Sequence, residues 1–216
     1  MANIFHPATN VAVRVAVLAV LLTVGLVLGG WDQFLRSFYV TGQNTVVEQP
    51  VAFSHKHHVG ALGLDCRYCH YSVEESAFAG IPATKVCMTC HSQVWNDTDI
   101  LAEIRTSYRE DLPMKWNRVH DLPDYVYFDH SVHIAKGVGC TTCHGQVDDM
   151  PLMMKVQPLT MGWCLSCHRH PEENLRALDD VFSVDWSPDD VSDEERADFV
   201  KDRDITTLQN CSICHR

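Results

Sequence analysis

Apolar and polar positions divide this chain sharply at its N-terminal end. Residues 11–30 are almost wholly apolar, interrupted by Arg14 one turn inside. Twenty residues at about 1.5 Å each span about 30 Å, the hydrocarbon thickness of a bilayer. Arg14 can snorkel to the headgroups, and Trp31 stands where an interfacial aromatic belongs. The run is long for the core of a cleaved signal peptide, and no small-residue cleavage site follows it. Residues 1–31 therefore read as a cytoplasmic tip and an uncleaved transmembrane signal anchor.

Beyond Trp31 the periodicities are short. Residues 32–52 form a connector with a brief extended piece at Val46 and Val47. Pro82 suits the start of a short helix ending near His91. Asp97-Thr98 caps a predicted helix through Ile100, Leu101, Ile104 and Tyr108, stopped by Leu112-Pro113. Tyr125 to Phe128 looks extended. Pro171 opens a predicted helix through Leu175, Leu178 and Phe182. Ser192 to Glu195 reads as a capping box for a helix through Phe199, on an acidic, solvated face. The pattern predicts a mainly α chain with much irregular structure and little regular sheet.

The cysteines change this picture. All ten fall in five C-x-x-C-H motifs: Cys66/Cys69/His70, Cys87/Cys90/His91, Cys140/Cys143/His144, Cys164/Cys167/His168 and Cys211/Cys214/His215. This spacing is the attachment signature of c-type haem: two thiols add across the vinyl groups and the adjacent histidine reaches the iron. Paired C-x-x-C units also build zinc sites, but zinc needs no histidine after every second cysteine, and five pairs do not divide into four-cysteine sites. Five covalent haem c groups are expected. Spread over residues 31–216, the chain then has about 37 residues per haem, below the ~40 at which a chain usually needs a crosslink or metal to fold. The haems should be most of the core. Such attachment takes place outside the bacterial cytoplasm, so the haem-bearing part is expected in the periplasm.

The motifs repeat in order. Phe53-x-His55-x-x-His58 precedes the first, and Phe128-x-His130-x-x-His133 precedes the third. Each copy then carries a second motif. Residues 53–91 and 128–168 are two dihaem repeats, joined by a linker at 92–127 and followed by a C-terminal segment, 169–216, with the fifth motif. The repeat selects His55, His58, His130 and His133 as distal iron ligands, opposite the proximal His70, His91, His144, His168 and His215. His57 aligns with Val132, so the repeat does not require it. His120 is the leading candidate for the fifth distal position, with His57, His170 or a methionine as alternatives. An iron with imidazole on both faces has no open position for substrate and serves as an electron conduit.

The net charge of −11 argues against nucleic acid as a partner. It suits a basic electron-transfer partner, and equally a solvated surface.

The F-x-H-x-x-H…C-x-x-C-H pattern resembles small multihaem cytochromes of the c3 and c7 type. The whole chain, with Phe53-Ser-His-Lys-His-His-Val-Gly60, Asp65-Cys-Arg-Tyr-Cys-His70, Ala79-Gly-Ile-Pro82 and Val119-His-Asp-Leu-Pro-Asp-Tyr-Val-Tyr-Phe-Asp-His130, resembles the pentahaem cytochrome c subunit of alternative complex III. The resemblance implies a multihaem cytochrome c fold and an electron relay within a quinol-oxidising complex of the bacterial inner membrane. It implies an iron–sulfur subunit, polytopic quinol-binding subunits and a monohaem cytochrome c as partners, with a cytochrome c or an oxidase as acceptor. Two other classes stay open. One is a stand-alone membrane-anchored quinol dehydrogenase. The other is a multihaem reductase, which needs an open iron. The motif count gives a direct test: the intact mass of the denatured, fully matured protein should exceed that of the polypeptide by five haem masses, and four or fewer would refute the reading.

Overall fold

The computed structural model describes residues 6–215; residues 1–5 of the expected cytoplasmic tip, and Arg216, lie outside the described residues. The chain divides into two compact units at Gly42.

The first unit is built on α1, Pro7–Leu35, whose first turn His6 caps by accepting from the Ala8 amide. Its apolar side chains, Val11 to Leu28 among them, are exposed all round. The helix is long and apolar enough to cross a membrane. A helix apolar on every side suits lipid, not water. A short α2, Phe38–Thr41, follows, ending at Gly42 in the left-handed conformation. Trp31, Phe34 and Tyr39 meet ring to ring within 6 Å; Trp31 and Tyr39 are the amphipathic rings expected at an interface.

The second unit is helical turns joined by irregular chain. Among the described residues there are isolated bridges but no strand. Every C-x-x-C-H motif lies on a helical turn: α3 (Cys66–Cys69), α4 (Thr84–His91), α7 (Cys140–His144), α8 (Met161–Arg169) and α10 (Cys211–Cys214). Residues at i, i+3 and i+4 of a helix share one face. The turn therefore delivers both thiols to the same side, together with the histidine in α4, α7 and α8; His70 and His215 follow just past α3 and α10, His215 in extended backbone. Asp65 caps α3 and Thr160 caps α8 through their side chains.

Buried apolar side chains are few. Val51, Leu101 and Ile104 form one cluster, with Cys87, Met88, Met114 and Trp116 packed against it. It seats α5, Ala102–Glu110, on α4, and a Thr84–Ser107 hydroxyl bond of 2.6 Å ties the two. The 92–127 stretch thus packs on the second motif. Leu175 and Val181 are buried elsewhere, at 1% exposure each.

The helix expected from Pro171 through Phe182 does not form. A single 3-10 turn, Pro171–Asn174, ends where Leu175 goes extended, and a second, Leu178–Asp180, follows. Leu175 bridges to Val138, and the Arg176 amide donates to Gly137 O. Pairing with a distant segment outcompetes local helical periodicity. The capping box at Ser192 does form, opening α9, Asp193–Asp202.

The two repeats exchange contacts. The distal segment of the second copy is α6, His130–Ala135. Its His130 and Ser131 amides donate to Ala77 O and Ser76 O, just past the first motif. In the first copy the corresponding turn is π-helical, Lys56–Ala61, wider than the plain helical turn the spacing suggests. Its Lys56 amide donates to Met150 O, just past the third motif. Gly60 lies against the same stretch, so that a β-carbon there would stand 2.5 Å from Asp148 O. Gly60→Ala should therefore push the first distal turn off the second repeat and destabilise the holoprotein by about 1–3 kcal/mol. Thermal unfolding followed by haem absorbance reads this, and an unchanged midpoint would remove the contact from the account.

Candidate functional site

Each repeat builds its pair of candidate distal histidines from the same parts. Phe53 stacks on His58 at 4.4 Å and meets His55 edge-on at 4.9 Å. Phe128 stacks on His133 at 4.4 Å and meets His130 edge-on at 4.8 Å. The residue after each phenylalanine is a cap. Ser54 Oγ accepts from the His57 amide at 3.1 Å, and Asp129 accepts from the Ser131 amide at 2.9 Å. The carbonyls of the same two residues accept from His58 Nδ1 at 2.8 Å and His133 Nδ1 at 2.7 Å. Sequence reasoning passed over Ser54 and Asp129. The signal was available: both are N-cap residue types placed immediately before the first histidine.

The same device recurs at other candidates. Nδ1 donates to a backbone carbonyl in His70 (Gly80, 2.7 Å), His91 (Val94, 3.0 Å), His130 (Ala77, 2.8 Å) and His215 (Tyr125, 3.3 Å). A carbonyl can only accept, so the proton sits on Nδ1 and Nε2 keeps its lone pair. That is the tautomer a metal needs, held by the outer hydrogen bond that usually accompanies metal-bound histidine. Burial also keeps rings neutral. It pushes His55 and His120 down to about 4, and His144 to about 3. Nearby basic groups add to each shift: His70 acts on His55, Lys155 and His130 on His120, and His120 and His130 on His144. His133 is lowered too, again chiefly by burial.

Ring spacings fit a shared iron. A metal–imidazole bond is about 2 Å, and a ring nitrogen lies ~1.1 Å from its ring centre, so two imidazoles on opposite faces of one iron have centres about 6 Å apart. His58 and His91 are 6.1 Å apart, His133 and His168 6.3 Å, and His130 and His144 6.3 Å with rings 12° from parallel. His55 lies in electrostatic range of His70. His57 instead stacks on exposed Trp95 at 5.7 Å. His170 faces Glu172, 3.6 Å away. His120 lies beside His144, ring centres 4.2 Å apart, with its Nε2 buried and unpartnered. A ring nitrogen is left over at His55 as well, whose buried Nδ1 has no partner.

The motifs touch in succession. Tyr68 Oη and Thr89 Oγ1, inside the first and second motifs, are 2.8 Å apart. The thiols of Cys66 and Cys140 are neighbours, and each perturbs the other: the first is lowered and the second raised. Thr142 of the third motif shares a cleft with Trp163, Ser166 and Cys167 around the fourth. Arg169 Nε, at the end of α8, is 3.3 Å from Gln209 Oε1 ahead of the fifth, and Cys164 lies in electrostatic range of Cys214. The Tyr127 amide donates to Cys214 O, and Val126 bridges to His215.

None of the ten cysteines is in a disulfide. They are not equally enclosed. Cys90 and Cys211 are exposed, whereas the other eight thiols are half-buried. The cause at Cys90 is the way α4 is seated. Its earlier cysteine, Cys87, packs on the Val51, Leu101 and Ile104 cluster. Cys90, one turn on, lies beyond that cluster, and its Sγ accepts only a long bond of 3.8 Å from the neighbouring Thr89 Oγ1. Cys211 opens a four-residue turn near the end of the chain, with no buried residue in it. The second and fifth motifs thus present one thiol each at the surface.

The family model for cytochrome c7 and related cytochrome c matches residues 51–103 and 126–216. The chain belongs to this family. Membership implies covalently attached haem c and electron transport, and the residues present fit that group: free thiols in register with oriented, neutral imidazoles. The chain is also 37% identical over 124 residues to a protein of Nitratidesulfovibrio vulgaris described as the multihaem cytochrome c subunit of a menaquinone reductase. The aligned region is 57% of this chain and 55% of that protein, so it spans about half of the relative's length.

The distal pairs are tested by opening them. His133→Ala in the holoprotein should turn one haem high-spin and admit carbon monoxide to the reduced form. His57→Ala should leave the spectra unchanged. The outcome that sinks the pairing is a haem opened by His57→Ala and not by His58→Ala. His130→Ala should likewise open one haem to carbon monoxide if His130 is the partner of His144, and opening of that haem by His120→Ala alone would overturn the pairing.

Proposed function

We propose that this chain is a membrane-anchored pentahaem cytochrome c that relays electrons within a quinone-linked respiratory complex. The observation that carries the reading is the succession of motif contacts. It supports a row of haems in the order second, first, third, fourth, fifth, with the Cys66–Cys140 contact as the joint between repeats. In the proposed ligation His55 faces His70, His58 faces His91, His130 faces His144 and His133 faces His168. His120 is the proposed further distal ligand; its ring centre, 4.2 Å from that of His144, is closer than the about 6 Å of an opposed pair, which leaves His130 as the proposed partner of His144. When bound, the haems supply one-electron chemistry. The chain holds the imidazoles neutral, fixes their tautomer and spaces the attachment points.

The resemblance of nearly the whole chain to the pentahaem subunit of alternative complex III supports quinol as donor and a periplasmic cytochrome c or oxidase as acceptor. On that reading the haem unit is periplasmic, α1 is the single inner-membrane span, and the partners are iron–sulfur, polytopic and monohaem subunits. The relative's description as part of a menaquinone reductase favours a second reading, in which electrons run toward the quinone. Detergent-solubilised complex, purified through this chain, separates the two. Menaquinol should reduce the haems and sustain turnover to an oxidised cytochrome c. Turnover only from a reduced cytochrome c to menaquinone would overturn the quinol-oxidising reading, and copurification with no other subunit would overturn both.

A further inference from the structure

Arg176 is fully buried, at 0% exposure. A buried guanidinium is costly unless its charge is compensated and its donors are satisfied. Here its hydrogen bonds go to neutral groups: Ser183 O at 3.3 Å, Thr141 Oγ1 at 3.2 Å and Thr142 Oγ1 at 3.1 Å. Nε is buried without a partner. The plane lies over the Trp186 ring at 3.7 Å. Asp180 is the carboxylate that acts on it electrostatically, alongside the thiols of Cys140 and Cys143.

Thr141 and Thr142 are the two residues between Cys140 and Cys143. The cation is thus fastened to the attachment loop of the third motif itself. Its backbone is held from both sides. The Arg176 amide donates to Gly137 O at 3.0 Å, and Arg203 Nη1 donates to Arg176 O at 2.8 Å. Gly139 makes room for it: a β-carbon there would lie 2.0 Å from Arg176 Cζ, although the Gly139 φ of −79° suits any residue. The first motif offers a contrast. Its Arg67 is exposed and paired with Asp65 at 2.8 Å, so its charge is screened and neutralised.

We propose that Arg176 is a positioning residue for the haem carried by Cys140 and Cys143, holding its loop and raising its reduction potential through a fixed positive charge. The inference rests on the proposal of a haem at that motif. One electron entering Fe(III) lowers the charge of the group by one, and a nearby cation in a low-dielectric interior favours that reduced form. The third motif lies in the middle of the proposed row, so the cation would make the central haem the better electron acceptor.

The test uses potentiometric titration of the detergent-purified holoprotein, with intact mass measured first. A wild-type mass short of five haems, with the haem-free peptide mapped to Cys140 and Cys143, would sink the underlying proposal and leave the question of charge separate. With all haems present, Arg176→Gln should move one Nernst component to lower potential and leave the others in place. Gly139→Ala should move the same component by expelling the guanidinium while keeping the arginine in the chain. Arg176→Lys should give a component whose potential is near the wild type's at acid pH and falls toward that of Arg176→Gln as pH rises, because a buried ammonium gives up its proton readily and a guanidinium does not. If Arg176→Gln fails to mature, the other two variants decide. The inference is overturned if Gly139→Ala moves no component, or if the Arg176→Lys component is low and stays flat down to the most acid pH at which the protein is folded, the mark of a purely structural role.

Discussion

An imidazole offered to a metal has to be neutral, oriented, and tied at the nitrogen the metal does not use. Much of this structure follows from that constraint. Six of the ten candidate rings, His58, His70, His91, His130, His133 and His215, tie Nδ1 to a backbone carbonyl. Two of those carbonyls belong to the capping residues Ser54 and Asp129, four positions before the ring they hold. At Ser54 the oxygen takes the His58 amide as well as its Nδ1. The turn that orients the ring and the ring that fixes the turn are therefore one unit. Phe53 and Phe128 complete it by stacking on the outer histidine.

The second constraint is scarcity of apolar core. With so few buried aliphatic side chains, neither repeat is closed on its own. Each lends its distal turn to the segment that follows the other's first motif: His130 to Ala77, Lys56 to Met150. This exchange places Cys66 beside Cys140. It also means that the boundaries 53–91 and 128–168, natural along the chain, are crossed by the contacts that hold each half in place. An axial bond from a distal histidine would stitch the same joints again.

The parts legible in the sequence were those whose cause is local. Five motifs, a repeat, an apolar run and a capping box at Ser192 each declare themselves within a few residues. The broken segment after Pro171 did not. Leu175, Leu178 and Phe182 have helical spacing, but Leu175 and Arg176 are claimed by Val138 and Gly137, some 38 positions earlier. Nothing in the periodicity of either segment announces that pairing. Arg176 was hidden for the same reason, since an arginine beside apolar residues looks like the wet side of a helix. The π-helical turn at Lys56–Ala61 was hidden because its F-x-H-x-x-H spacing equals that of its α-helical twin. The unequal enclosure of the thiols was hidden too. Cys87 and Cys90 are equivalent in the motif, and only the packing of α5 on α4 tells the half-buried one from the exposed one.

The residues between the paired cysteines are the least specified part of a C-x-x-C-H motif, yet here they make the joints. Tyr68 meets Thr89, so the first motif reaches the second through its own loop. Arg67 lies over Phe182 at 4.4 Å, next to the Val181 whose carbonyl accepts from the Cys140 amide. Thr141 and Thr142 hold Arg176. The spacing between attachment points is thus set by side chains that lie on the attachment loops themselves, not by a distant scaffold. A short joint has little slack, because the residues that join two loops are the ones whose backbone already fixes the thiols. In a chain with so little core, that is a way to hold several large groups at constant separation while the connecting segments stay irregular.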